Sequence, residues 1–367
     1  MTKYKHLLQV CLLGSLLLVL SLWCWLGEPQ LYSESERRTL TQWPELTWES
    51  VLEGDFMADF ESYTQDQFPA RDSFRRIKAM AQLGLFQHRD NNELYLAQGH
   101  VSKLEYPISY PMLDHAAERF QYLYDSYLKE SGGTIYFSIV PDKNYYLAEQ
   151  NGYLSLDYHE LISYMRERTE YMEYIDITGL LSADDYYRTD THWKQENILD
   201  VAQTLASAMG VTLEETYEAV TLKTPFYGVY YGQSALPLVP DQLTYLTNRT
   251  LENCTLTSYD TGSPAEKKVY DLEKAAGRDP YEMFLSGSDA LQVLENPNAG
   301  AERELIVFRD SFGSSLVPLL AEGYSKITLI DIRYVSSAML GDLVDFHGQD
   351  VLFLYSTLLL NSSLGLR

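Results

Sequence analysis

The last third of the chain alternates strand and helix patterns, and this alternation constrains the fold more than any other feature. Apolar, β-rich runs occupy residues 305–308, 326–330 and 351–355, and helical patterns at 313–321 and 336–345 separate them. Strands that alternate with helices pair in parallel, because each helix carries the chain back across one face of the sheet. The sequence therefore predicts an α/β fold with a mostly parallel sheet flanked by helices.

The same alternation begins in the middle of the chain. Apolar residues recur at helical spacing over 111–131, and a β-rich run follows at 134–140. Further helices are predicted over 157–171 and 196–209, with a short strand at 174–177 between them. These segments extend the predicted sheet, and residues 101–367 are expected to form one domain.

Two regions do not follow this alternation. Residues 211–279 are rich in threonine, tyrosine and turn residues, which predicts a β-rich insertion in the domain. Residues 28–100 are expected to form a stalk and N-terminal helices, with helical patterns at 56–67 and 72–85. A short pair of strands is predicted just before residue 105.

The N-terminus carries a candidate membrane segment. Residues 7–26 are uncharged and rich in leucine, and about 20 such residues span a bilayer as a helix. No small-residue cleavage site follows, which favours an uncleaved signal-anchor over residues 1–27. Lys3 and Lys5 precede this segment and Glu28 follows it, so the positive-inside rule places the body outside the cytoplasm. We therefore expect a single-pass protein of the cell membrane with an extracytoplasmic body.

Charge and composition exclude some functions. The formal net charge is −24, which would repel the phosphate backbone of nucleic acids. The histidines show no spacing typical of metal ligands, so neither a metal nor another cofactor is predicted.

Two short segments together supply the parts of a nucleophilic site. Asp190 and His192 lie two positions apart in one predicted loop, and Ser311 follows a predicted strand directly. A serine hydroxyl needs a base to remove its proton and a carboxylate to orient that base. Alternatively, Asp310 and Ser311 cap the following helix, Asp190 caps another, and His192 is incidental. The local sequence leaves both interpretations open.

An ordered set of motifs indicates a family resemblance. The set runs from the membrane segment to the last third of the chain: Glu34-x-x-Arg37, Asp66-x-Phe68-Pro69-x-Arg71, Val140-Pro141-Asp142-Lys143, Tyr186-Tyr187-Arg188-Thr189-Asp190-Thr191-His192-Trp193, Phe226-Tyr227-Gly228, Asp310-Ser311-Phe312 and Asp331-Ile332-Arg333-Tyr334. In this set the chain resembles the DHHW family, relatives of the alginate O-acetylation proteins in the SGNH-hydrolase-like group. Thr191 departs from the pattern, because the motif that names the family has a histidine there.

The resemblance implies an SGNH-hydrolase-like fold and assigns roles to particular residues. Ser311, His192 and Asp190 would be the catalytic triad. Lys143, Asn144, Arg333 and Trp193 would contribute to an oxyanion hole or position the substrate. For Lys143, Asn144 and Arg333, structural ion pairing is the alternative.

The function implied is acyl transfer outside the cytoplasm. The chain would be an O-acetyltransferase that modifies a cell-surface or exported polysaccharide through an acetyl-serine, with a membrane-bound O-acyltransferase as the partner that supplies acetyl groups. Two alternatives stay open at this point. One is a carbohydrate acetylesterase with the same triad, and the other is a non-catalytic scaffold that binds glycan.

Overall fold

The structure is a computed structural model that describes residues 2–260, 262–300 and 302–367. Met1 of the predicted signal-anchor lies outside the described residues. The chain divides into two compact units. The first comprises residues up to Asn92 together with Tyr231–Leu238, and the second comprises Glu93–Tyr230 and Val239–Arg367.

The first unit is mainly helical. Its elements before Asn92 are α1 (Thr2–Leu26), β1 (Tyr32–Ser33), β2 (Arg38–Thr39), α2 (Trp48–Glu53), α3 (Asp55–Asp66) and α4 (Arg71–Met80). Within α1, residues Tyr4–Leu26 are long and apolar enough to cross a membrane, with a mean hydropathy of 2.3. A signal sequence near the N-terminus would pass the same test of length and composition.

Carboxylates and arginines hold the middle of the first unit together. The carboxylate of Asp66 accepts hydrogen bonds from both terminal nitrogens of Arg38 and from the Thr41 N–H. Glu36 pairs with Arg71. Burial would raise the pKa of Asp66, but the Arg38 guanidinium and the Thr41 N–H outweigh it and keep that pKa well below its ordinary range. Two of the family-like motifs, around residues 36 and 66, therefore meet in one ion-pair cluster.

The second unit contains the predicted sheet. Its strands are β3 (Leu94–Ala97), β4 (His100–Lys103), β5 (Ile135–Val140), β6 (Glu173–Tyr174), β7 (Glu218–Phe226), β8 (Asp241–Thr247), β9 (Thr255–Ser258), β10 (Ala265–Lys267), β11 (Leu291–Glu295), β12 (Glu304–Arg309), β13 (Lys326–Ile330) and β14 (Asp350–Ser356). Its helices are α5 (Tyr110–Leu123), α6 (Asn144–Leu147), α7 (Tyr158–Arg168), α8 (Leu199–Ala208), α10 (Arg249–Asn253), α11 (Gly313–Leu320), α12 (Leu340–Leu343) and α13 (Thr357–Leu360). A further helix, α9 (Val229–Ser234), begins in the second unit and ends in the first.

Eight strands form the central sheet in the order β10-β9-β11-β13-β12-β14-β5-β6. The strands from β13 to β6 pair in parallel, whereas β10, β9 and β11 add an antiparallel extension beyond β13. Pairing is in parallel where a helix returns the chain to the same edge, as the strand–helix alternation predicts. The predicted fold class, an α/β fold with a mostly parallel sheet, is confirmed.

The sheet is buried on both faces, which is why its strands read as continuous apolar runs. Along β12, Leu305 and Val307 pack into the core that α8 and α11 cover. Ile306 and Phe308 point the other way, into the core that α5 and α7 cover. The result is a three-layer arrangement with β12, the strand that precedes Ser311, inside the sheet.

The structure differs from the sequence expectations in three places. The helix predicted over 336–345 is only a turn and the short α12, because Leu340 is buried while Met339 and Leu343 stay exposed. Strand β11 was not predicted. The strands of the expected insertion at 211–279 divide between two sheets: β7 pairs with β8 apart from the central sheet, whereas β9 and β10 extend it.

The segments that carry the candidate site residues follow the strands at one edge of the sheet. The parallel strands β5, β12, β13 and β14 all end there, and their carboxyl ends lead into Lys143, Ser311, Arg333 and Thr357. In open α/β sheets this is the edge at which ligands bind.

Candidate active site

Ser311 lies in the turn between β12 and α11. Asp310 fixes this turn through both carboxylate oxygens: Oδ1 accepts from the N–H of Phe312, and Oδ2 accepts from the N–H of Ser356 at the end of β14. The alternative expectation that Asp310 and Ser311 cap the following helix is wrong, because the N-cap of α11 is Phe312 and no side chain caps this helix. The Asp310 side chain instead fixes the turn that carries Ser311.

The loop of residues 187–192, which we call the acid–histidine loop, meets this turn. His192 Nε2 lies 2.8 Å from Ser311 Oγ, and His192 Nδ1 lies 2.6 Å from Asp190 Oδ1. A carboxylate can only accept, so Nδ1 carries a proton and the Nε2 of the neutral ring accepts the hydrogen bond of the serine hydroxyl. The structure therefore brings together the three residues that the sequence singled out, although they span 119 positions between His192 and Ser311.

Asp190 is buried and fully engaged. Its Oδ1 also accepts from the His192 N–H at 3.1 Å, and its Oδ2 accepts from the Val229 N–H at 2.8 Å. Burial would raise the pKa of Asp190, but its interaction with His192 and these hydrogen bonds outweigh it and hold the pKa well below its ordinary range. The acid stays ionised and keeps His192 in one orientation.

Two aromatic side chains set the position of the imidazole. The ring of Tyr281 stacks on His192, with ring centroids 3.8 Å apart and planes 7° apart. Its hydroxyl hydrogen-bonds to Ser315 Oγ at 2.8 Å, and Trp193 Nε1 donates to the same oxygen at 2.9 Å. Tyr281 and Trp193 are therefore fixed to helix α11, the helix that begins just after Ser311.

Four residues have predicted oxyanion or substrate-positioning roles, and all four make polar contacts within the protein. Lys143, Asn144 and Trp193 are buried, whereas the Arg333 side chain is 23% exposed. Lys143 Nζ donates to the carbonyls of the acid–histidine loop. Asn144 accepts from Tyr95 and donates to Tyr158. Arg333 forms an ion pair with Asp331, and the indole N–H of Trp193 donates to Ser315 Oγ on α11. These contacts favour support of the site over contact with a substrate, and the predicted roles remain predictions.

Sequence reasoning missed three residues that lie at the site. Tyr281 approaches His192 from a distant segment. Asp241, at the start of β8, accepts from the N–H groups of Arg188 and Thr189 at 2.9 and 2.8 Å. Arg309 is fully buried under the nucleophile turn and donates to Ser314 Oγ. Only Arg309 could have been noticed, since an arginine at the end of an apolar strand is unusual.

The site has the parts for acyl transfer. It holds a serine hydroxyl, a base within hydrogen-bond distance and an ionised acid behind that base. No described residue accepts a hydrogen bond from the backbone N–H of Ser311. In the described parts of the chain, no group of three or more histidine, cysteine, aspartate or glutamate side chains is arranged to hold a metal ion.

Comparison with known proteins identifies the fold. No protein-family model and no curated protein sequence matches the chain significantly. Among solved structures, a DHHW family protein from Eubacterium siraeum is similar over 76% of this chain and 95% of that one, with a TM-score of 0.60 and 21% identity. PatB1 of Bacillus cereus is similar over 73% of this chain and 95% of that one, with a TM-score of 0.57 and 18% identity, in a structure with a sulfonyl adduct. PatB1 without the adduct matches equally well. The chain thus has the fold of these proteins, which confirms the resemblance to the DHHW family at the level of fold.

Proposed function

We propose that this protein is an extracytoplasmic O-acetyltransferase that modifies a cell-surface or exported polysaccharide. Ser311 is the nucleophile, His192 the general base and Asp190 the residue that orients it. The observation that carries the proposal is the continuous hydrogen-bonded chain from Asp190 through His192 to Ser311. Such a chain is the arrangement that activates a serine hydroxyl.

The reaction has two halves. His192 Nε2 takes the proton of Ser311 Oγ as that oxygen attacks the carbonyl carbon of an acetyl donor. The tetrahedral intermediate collapses when His192 returns the proton to the leaving group, and an acetyl-serine remains. A sugar hydroxyl then loses its proton to His192 and attacks the acetyl carbonyl. The bond between the acetyl carbon and Ser311 Oγ breaks as His192 returns the proton to Oγ, which restores the free serine and leaves the acetylated sugar. The unused N–H of Ser311 is our candidate donor to the oxyanion in both halves.

The N-terminal helix supports the proposed location and partner. As a signal-anchor, Tyr4–Leu26 would hold the protein at the membrane with its body outside the cytoplasm. A membrane-bound O-acyltransferase could then deliver acetyl groups to Ser311. The chemistry requires no metal or other cofactor, since serine, histidine and aspartate suffice for acyl transfer.

A direct test asks whether Ser311 becomes acetylated. The detergent-solubilised chain is incubated with an activated acetyl ester and its intact mass is measured, beside Ser311→Ala and His192→Ala. Ser207→Ala is the matched control, because Ser207 is an exposed serine on α8. We expect one acetyl adduct on Ser311 in the wild type and in the control, and none in the other two variants.

A serine-directed reagent extends this test. A solved structure of the similar PatB1 carries a sulfonyl adduct, so a sulfonyl fluoride and a fluorophosphonate are suitable probes. If neither probe nor ester modifies Ser311, the catalytic proposal is wrong and a glycan-binding scaffold becomes the better explanation. Once an adduct is found, product analysis with an acceptor oligosaccharide separates transfer from hydrolysis by an acetylesterase.

A further inference from the structure

Lys143 makes an unusual set of contacts with the acid–histidine loop. Its side chain is 2% exposed, and its Nζ lies 2.8 Å from the carbonyl oxygen of Tyr187, 3.3 Å from that of Arg188 and 2.7 Å from that of Asp190. All three acceptors belong to the backbone that leads into His192. One ammonium group therefore hydrogen-bonds to three backbone carbonyls of the same loop.

The number of donors matters here. An ammonium group has three N–H donors, whereas a neutral amine has two and a lone pair. Only the protonated form can satisfy all three carbonyls. A neutral amine would leave one buried carbonyl facing a lone pair, which is unfavourable where water cannot compensate.

Asp241 holds the same loop through the opposite backbone groups. Its carboxylate accepts from the N–H groups of Arg188 and Thr189 and from the Thr189 hydroxyl. The loop is thus held by a negative group at its N–H groups and by a positive group at its carbonyls. Removal of either side chain would release part of the loop.

Lys143 is itself fixed to the sheet edge. The preceding residue, Asp142, accepts hydrogen bonds from Thr357 and Tyr158 and from the backbone N–H of Asn144. This network joins the end of β5 to the end of β14, which lies next to the strand of Ser311. Lys143 therefore links the position of the loop that carries His192 to the edge that carries Ser311.

From these contacts we propose that Lys143 is a positioning residue whose three hydrogen bonds to backbone carbonyls hold the acid–histidine loop in the geometry that brings His192 to Ser311. This inference rests on the proposed function. It gives Lys143 a role other than the oxyanion or substrate contact expected from the sequence.

The surroundings of Lys143 place this proton in an accessible range. Burial lowers the pKa of Lys143 to about 7, although the negative charges of Asp190, Asp241 and Asp142 oppose the decrease. The other charged or titratable groups that face it are Lys194, His100 and Tyr230, whose ring centroid lies 5.1 Å from Nζ. An ordinary exposed lysine would keep its proton over the whole range in which the enzyme can be assayed.

A change of pH cannot replace removal of the side chain in a test of this role. Burial lowers the pKa of Lys143 in the folded state, so the unfolded chain, or an opened loop that hydrates the amine, keeps the proton to higher pH. Between the two pKa values a rise in pH favours the closed, folded state, and alkaline pH does not by itself release the loop.

The experiment measures the rate of Ser311 acylation at neutral pH in the full chain, in Lys143→Met and in Lys143→Arg. Lys194→Met is the matched control, because Lys194 is near the same loop but donates to the Asp184 carbonyl. Lys143→Met should be slower by about 100-fold, as expected for a misplaced base. Lys143→Arg keeps the positive charge and several N–H donors, so it should recover part of the lost rate. The control should match wild type.

A second measurement does not depend on activity. Hydrogen exchange of the peptide that spans the acid–histidine loop should be faster in Lys143→Met than in wild type and Lys194→Met, whereas exchange in β12 should be the same in all three and thereby report that the variant is folded. Unchanged protection of the loop in Lys143→Met, or a wild-type rate of acylation in that variant, would overturn the inference. If no form is acylated, the proposed function fails and hydrogen exchange alone decides the role of Lys143.

Discussion

The imidazole of His192 lies flat against the phenol ring of Tyr281, with 3.8 Å between the ring centroids. In the acyl transfer proposed above, His192 becomes positively charged, and the face of an aromatic ring attracts a cation. Burial raises the pKa of Tyr281 above its ordinary range, so the ring stays a neutral phenol next to the imidazole. Tyr281 can thus stabilise the charged intermediate as well as restrict the rotation of His192.

We expect Tyr281→Leu to lower kcat for an activated acetyl ester by about tenfold, the size of a partly buried cation–π contact. Tyr281→Phe keeps the stacked ring and loses only the hydrogen bond to Ser315, so it should stay within a few-fold of wild type. Steady-state kinetics would check this, with KM as an internal control because neither change removes a substrate contact proposed here. An unchanged kcat in Tyr281→Leu would show that the stacking has no catalytic consequence.

Asp190→Asn tests the orienting acid. An asparagine can donate its N–H to His192 Nδ1 and so favour the wrong tautomer, with Nε2 protonated towards Ser311. The rate of Ser311 acylation should fall by about 10³–10⁴-fold while the chain stays folded. Asp342→Asn, at an exposed position on α12, is the control and should match wild type. A loss of less than tenfold in Asp190→Asn would argue against a triad.

A substitution at Gly228 tests whether the segment that follows β7 holds Asp190 in place. Its N–H donates to Thr189 Oγ1, and a Cβ at this position would lie 2.3 Å from the Thr189 carbonyl oxygen and 2.4 Å from Asp190 Cβ. Gly228→Ala must therefore move the segment that donates the Val229 N–H to Asp190. We expect a loss of acylation of about 100-fold, since a displacement of about 1 Å has that effect on a catalytic group.

The matched control for this substitution is Gly179→Ala, because a Cβ there would meet nothing within 4 Å. It should leave both acylation and thermal stability at the wild-type level. If Gly228→Ala were as active as Gly179→Ala, the contact between the insertion and the acid–histidine loop would not matter for catalysis.

The ion-pair cluster of the first unit predicts a dependence of stability on pH. Because the pKa of Asp66 is lowered in the folded state, its stabilising effect is complete above the ordinary carboxyl range and is lost as the pH falls through the lowered pKa. Asp66→Asn should reduce the free energy of unfolding by about 1–2 kcal/mol at pH 7. Asp72→Asn, whose side chain is 56% exposed, should change it by much less. Thermal unfolding at neutral and acidic pH would measure both, and equal effects of the two variants would contradict the prediction.

The sequence singled out the three central residues of the site, but it did not predict the contacts that hold them in place. Asp190, His192 and Ser311 belong to short motifs of chemically recognisable residues, and the strand–helix alternation places Ser311 at the ligand-binding edge. The partners of Lys143 are backbone carbonyls, which every residue has, so no side-chain pattern could reveal them. Tyr281 packs on His192 through tertiary folding alone, and nothing near it in the sequence indicates that contact.

The same limit applies to the fold. Strands β12, β13 and β14 were predicted because burial on both faces makes them continuously apolar. Strand β11 was not predicted, because the polar Gln292 interrupts its apolar run. Gln292 is buried, and it donates to the Leu285 carbonyl and accepts a hydrogen bond from Arg309. Residues 336–345 have a helical composition, yet Gly341 lies against the Tyr127 ring and the chain is extended again at Val344.

The order of strands in the sheet has a consequence for the synthesis of the protein. Strand β14 is the last strand of the chain, and it lies between β12, which leads to Ser311, and β5, which leads to Lys143. Until β14 has emerged from the ribosome, β12 and β5 have no common neighbour in the sheet. We therefore expect Ser311 and the loop that carries His192 to meet only after β14 has been synthesised, which keeps a shorter nascent chain chemically inert.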